Sequence, residues 1–164
     1  MEQKIKDTYE IVCMNSDKVV MSGEPKLASC IIFIGDETKS YDFELTEQNK
    51  NRIAEALKSR ILQYGAKGYI IVMDTVTEKK DHNKDITIQG ECILRTLYTP
   101  ESRVSEYVWY EDTRIINKDR VEGRNKMYDQ WDAWNEGNIQ AEPRKDIDKL
   151  LKRYSKGAKN DQSM

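Results

Sequence analysis

At 164 residues, with 38% hydrophobic and 34% charged side chains, the chain is long enough for one domain with a buried core and leaves little room for a second. It holds no run of about 18 apolar residues to cross a bilayer, and its opening MEQKIKDTYE lacks the apolar stretch of a secretory leader, so a cytoplasmic protein is expected. The net charge of −2 is unevenly placed: residues 144–159 carry +5 and residues 1–143 carry −6, so the C-terminal segment is expected to meet something negative.

In chain order, Ile5, Tyr9, Val12 and Cys13 fall at i, i+4, i+7 and i+8, which is one face of a helix over 2–14. Ser22-Gly23-Glu24-Pro25 breaks the chain. Residues 27–34 form an apolar, partly β-branched run, read as a strand, and 35–39 a turn. Tyr41, Phe43 and Leu45 alternate with Asp42 and Glu44, the pattern of a half-buried strand, so the two runs make a hairpin. Thr46 then suits a helix N-cap, because its hydroxyl can accept from an orphan N–H of the first turn. Glu47 just inside favours the positive helix end. Ile53, Leu57, Ile61 and Tyr64 form the buried stripe, and Gly65 stops the helix.

Residues 69–73 (YIIVM) are apolar at every position, as in a central strand covered on both faces; the strand is expected to end at Asp74, with a charged loop over 78–85. Ile86, Ile88, Cys92 and Leu94 share one face of the next strand. Thr99-Pro100-Glu101-Ser102 reads as a turn, and 104–116 as a last strand carrying Tyr107, Val108, Trp109 and Tyr110. Two amphipathic helices are expected beyond it. Over 125–136, Met127, Trp131 and Trp134 sit at i, i+4 and i+7, with Gly137 as the stop. After Pro143, Ile147, Leu150, Leu151 and Tyr154 repeat such a stripe inside the basic run.

These elements predict an α+β fold: a five-stranded, mainly antiparallel sheet in the order α-β-β-α-β-β-β, flanked by helices. Residues 1–137 form a single domain, 138–156 a basic amphipathic helical tail, and 157–164, which lack an apolar anchor, a disordered end. The order resembles that of roadblock, longin and other profilin-like modules. The strand ASCIIFIG, the helix after Leu45-Thr46, the element GAKGYIIVMDTVTEKK and the hairpin ECILRTLYTPESRVSEYVWY are also similar to a recurrent family of small α+β proteins of prokaryotes and their phages. That resemblance covers 29–116 and departs at Asp74-Thr75-Val76, where relatives often carry a Glu-Ala-Trp-like run. It implies a fold and a phage or mobile-element setting, and no mechanism.

Candidate chemistry is sparse. The three cysteines, Cys13, Cys30 and Cys92, are odd in number and widely spaced, which fits neither a disulfide framework nor a zinc knuckle. Cys30 in SCIIFI and Cys92 in a strand-like run read as packing residues of a reduced protein. The sole histidine, His82, lies among Asp81, Lys84 and Asp85 and reads as a solvated loop residue. Asp74 and Glu91 could face each other as a carboxylate pair with one pKa raised for general-acid work; in the competing reading Asp74 ends a strand and Glu91 points to solvent on the alternate face. Gly65-Ala66-Lys67-Gly68 follows a helix and precedes a strand, the wrong order for a phosphate cradle. No cofactor and no metal site is expected.

The aromatics are more suggestive. Trp109, Tyr110, Tyr128, Trp131 and Trp134 fall in one quarter of the chain, as core packing or as interface anchors. The leading expectation is a non-catalytic protein-binding, assembly or accessory protein. Its interface residues would be Trp109, Tyr128, Trp131, Trp134, Ile147, Leu150, Leu151 and Tyr154, with electrostatic contacts through Lys149, Lys152 and Arg153. The partner is another protein or a second copy in a homo-oligomer, with no membrane. Two alternatives stay open: a nucleic-acid-binding accessory factor using the basic tail, and a hydrolase-like enzyme using Asp74, Glu91 or His82.

Overall fold

The computed structural model describes residues 3–24, 27–81 and 86–135; for 76–81 and 86–89 it describes the backbone ladder alone. Its frame is an open antiparallel sheet of six strands with helices packed on its faces. In chain order these are α1 (Gln3–Ser22), β1 (Ala28–Ile34), β2 (Glu37–Phe43), α2 (Lys50–Tyr64), β3 (Gly68–Asp81), β4 (Ile86–Tyr98), β5 (Arg103–Glu111) and β6 (Arg114–Glu122), followed by a 3-10 turn over Lys126–Trp131. Across the sheet the strands lie β2-β1-β3-β4-β5-β6. The fold is α+β as the sequence predicts, with one strand more.

The sixth strand comes from a turn that the residues disguise. The expected single strand over 104–116 reverses at Asp112, which takes φ +52, a left-handed conformation that Asp tolerates better than most residues. The returning strand, RIINKDRVE, is mostly charged and exposed because it forms the sheet edge. The hairpin before it also differs from expectation. β3 continues through Asp74 to Asp81 and pairs with β4 as far as Asp81↔Ile86, so 78–81 belong to a ladder and not to a loop. A two-stranded ribbon satisfies its backbone whatever its side chains, which is why charge there does not report a loop.

Strand alternation divides the core in two. On one face, Tyr69, Ile71 and Met73 of β3 pack with Cys30 and Ile32 of β1, Leu94 of β4, and Ile53, Leu57 and Ile61 of α2. The α2 start is built from reciprocal bonds. Thr46 Oγ1 accepts from the Asn49 N–H at 3.1 Å, and Asn49 Oδ1 accepts from the Thr46 N–H at 2.8 Å. This is a capping box with Asn in place of Glu. Gly65 closes the helix at φ +58, where the Ala66 N–H reaches back to the Ile61 carbonyl at 3.2 Å.

The other face packs against α1, where Ile5, Tyr9 and Cys13 meet Phe33, Ile70 and Leu97, and Val20 meets Ile93, Val108 and Tyr110. The helix runs past residue 14 because its polar stretch has partners on the sheet. Arg95, 1% exposed, donates to the Cys13 carbonyl at 2.7 Å, to Asp17 at 2.6 Å and to Glu106. Lys118 donates to the second Asp17 oxygen, and Arg120 links Glu106 to Glu10. Tyr9 Oη donates to the Arg95 carbonyl at 2.8 Å. An ionic cluster therefore clamps α1 to β4, β5 and β6.

The clamp has an acid limit. Burial works to raise the Asp17 carboxyl, but the bonds from Lys118 and Arg95 outweigh it and hold it below the ordinary carboxylate range. A depressed folded-state pKa gives stability that is complete above the unfolded value, about 3.9, and is lost as pH falls toward the folded value. Asp17→Asn is therefore expected to lower neutral-pH stability and to flatten the decline below about pH 4. Urea midpoints measured from pH 7 down to pH 2 check this, and a parent-like acid profile in the variant would remove Asp17 from the account.

Candidate functional site

A concavity opens where β3 outruns its neighbour β1. The β1 ladder stops at Ser29↔Val72, so Met73, Asp74 and Thr75 face an opening. With Leu45, Thr46, Glu47 and Lys50 at the start of α2, Glu91 of β4, and Met127, Tyr128, Gln130 and Trp131 of the 3-10 turn, they line a cleft of about 540 Å³. Leu45, Met73, Tyr128 and Trp131 give it an apolar and aromatic floor, while the Asp74 and Glu91 carboxylates lie on the opposite face of the sheet with Ile93 and Tyr110. Lys50 pairs with Glu47 at 3.1 Å.

The C-terminal wall is held by polar bonds of high quality. Tyr69 Oη donates to the Trp131 carbonyl at 2.6 Å and accepts from the Ala133 N–H at 2.8 Å. Its ring stacks on Tyr98 with centroids 4.6 Å apart and meets Trp134 at 5.3 Å. Arg103 grips the buried Asp132 with two bonds, 2.9 and 3.1 Å long, and Asp132 accepts in turn from the Trp134 N–H. Arg124 holds Asp129 in the same bidentate way and keeps its carboxyl below the ordinary range. Asn125 donates to the Tyr107 hydroxyl.

These bonds replace the helix expected over 125–136. Only a short 3-10 turn forms, and its side chains do not share one face. Trp131 enters the core at 4% exposure, while Met127 stands out at 74%. Tyr128, Trp134 and Trp109 are half-buried; Tyr128 and Trp134 pack on the core, and Trp109 stacks on Tyr107 at 5.6 Å. Trp131 and Trp134 thus pack within this chain, and Met127 is the apolar group the turn presents outward.

Asp74 and Glu91 do share a face. Asp74 is opposite Ile93 and Glu91 opposite Val76, so they lie one register step apart. The reading with Glu91 on the alternate face is corrected by that two-residue offset. The Asp74 partner missed in the sequence is Tyr110, whose hydroxyl donates to Asp74 Oδ1 at 2.7 Å. Burial, that bond and the charges of Asp74 and Glu91 push the Tyr110 phenol far above its usual value. The Tyr110 phenol therefore stays protonated at neutral pH and acts as a donor to Asp74.

Among the described residues, no group of three or more His, Cys, Asp or Glu could hold a metal ion. Cys13, Cys30 and Cys92 are free and buried, and burial pushes the Cys13 and Cys92 thiols up to about 11 and Cys30 higher still, so thiolate chemistry is disfavoured. No described helix is long and apolar enough to cross a membrane. His82 and the expected contacts Ile147, Lys149, Leu150, Leu151, Lys152, Arg153 and Tyr154 lie outside the described residues, as do residues 136–164 generally. No family model, curated protein or solved structure matches the chain.

Proposed function

We propose that this is a non-catalytic protein-binding or assembly protein whose receptor surface is the Met- and Tyr-edged cleft. One observation carries the reading: an apolar and aromatic floor that includes Leu45, Met73 and Trp131 lies open beside the strongly exposed Met127. Such a surface suits a segment with an apolar ridge, which is how amphipathic helices dock in grooves. The rigid wall behind it supports the reading, because a preorganised surface loses less entropy on binding. The partner is a protein chain, either a second copy or another protein.

A photo-reactive side chain placed at Met127 of the full chain and activated in the native host tests this. Covalent adducts with protein are expected, and Leu45→Lys is expected to diminish them several-fold by placing a charge on the apolar floor. Absence of any intermolecular protein adduct, or adducts with nucleic acid alone, would overturn the reading.

A further inference from the structure

We infer that the ligand of this receptor is an extended segment of a partner protein, which adds as a strand along β3 beyond Val72, in line with β1. The inference rests on the cleft being a protein receptor, and it adds the form of the ligand. An apolar ridge can enter a groove as one face of a helix or as the alternate residues of a strand. Three observations favour the strand.

The first is the ladder. β1 pairs with β3 only as far as Ser29↔Val72, whereas β3 runs on to Asp81 against β4. Among the described residues, β3 therefore has a strand on its β4 side alone over 73–81. In an antiparallel sheet, alternate residues of a strand turn their N–H and C=O groups to each side. The groups turned away from β4 form a template for another strand. A two-stranded ribbon is marginal by itself and gains from a third member.

The second is where the cleft lies. Met73, Asp74 and Thr75 line it in succession. Successive residues of a strand point to opposite faces, so a cleft lined by all three borders the strand's edge and not one face alone. The outer strands of the sheet carry charge that discourages pairing, with Lys39 in β2 and Lys118 and Arg120 in β6. Residues 73–77 read MDTVT, with neither lysine nor proline.

The third is the chemistry on the two sides of that edge. On the α2 side, Leu45, Met73 and Trp131 offer an apolar floor. On the α1 side, Asp74 is exposed, and the exposed Glu91 follows on the next strand. A segment laid along β3 places its alternate side chains on these two sides. Charge complementarity then selects apolar residues for the first side and lysine or arginine for the second.

Two fluorescent peptides of one composition, titrated with the full chain and read by anisotropy, test this. KLKLKLKLK alternates, whereas LKKLLKKLK has its leucines at helical spacing. The alternating peptide is expected to bind about tenfold more tightly at low salt. Methylating one alternate set of its backbone amides should abolish that preference, and methylating the other set should leave it, because only one edge of the peptide faces β3. Asp74→Asn with Glu91→Gln should weaken binding several-fold. Hydrogen exchange should slow on binding at amides within 73–81. Equal or tighter binding of the helical-period peptide, or an alternating peptide indifferent to both methylated sets, would overturn the inference. Absence of the preference while Met127 still yields protein adducts would reject the strand mode and leave the receptor reading standing; absence of both would reject both.

Discussion

Arg95→Met is expected to destabilise the protein by about 3–5 kcal/mol, the range for breaking a buried ion pair from one side. Asp17 and Glu106 would then lie partly buried beside an apolar side chain, and the Cys13 carbonyl would lose its donor. For a chain of this size that corresponds to a fall in Tm of roughly 6–20 °C. Adding Glu106→Leu should return part of the loss, because it removes one of the stranded charges, so the two changes are expected to be non-additive. Calorimetry or urea unfolding of parent, single and double variants measures the coupling. Should Arg95→Met fail to accumulate as folded protein, Glu106→Gln leaves Arg95 in place and reports the same coupling at smaller amplitude. A single variant within about 1 kcal/mol of the parent would show that the cluster does not hold α1 to the sheet.

Tyr69→Phe is expected to cost about 2–4 kcal/mol, because it leaves both the Trp131 carbonyl and the Ala133 N–H without their partner in a buried site. The ring and its stacking on Tyr98 survive the change, so the loss reports the hydroxyl. Exchange of amides 131–134 should accelerate together with the loss in global stability, and the cleft should lose its fixed wall. A change under about 0.5 kcal/mol would show that Arg103–Asp132 alone anchors this segment.

The two clusters explain why the C-terminal part of the described chain departs from its pattern. Met127, Trp131 and Trp134 have helical spacing, but spacing reports only where side chains would point if a helix formed. Here Tyr69, Arg103 and Arg124 each offer the segment a better set of bonds than an isolated short helix provides. Tyr69 and Arg103 are far from 126–134 in sequence, so no local reading finds them. The polar stretch after Cys13 likewise remains helical because Arg95, 78 residues beyond Asp17, is buried beneath it.

Local residues by themselves determined the first hairpin, the capped and glycine-stopped helix α2, the all-apolar run of β3 at an interior position, and the Thr99–Ser102 turn, where the Thr99 N–H bonds the Ser102 carbonyl at 2.9 Å. Each depends on contacts within a few residues or on a face buried from end to end, and such rules are written in composition and period. The tertiary structure alone decided the sixth strand, the continuation of β3 past Asp74, the burial of Trp131 and the union of Leu45, Met73, Met127 and Trp131 around one cleft. The physical reason is that edge strands, ion clusters and clefts are made by groups far apart in the chain. Their energy comes from desolvation and geometry that exist only once the sheet has formed.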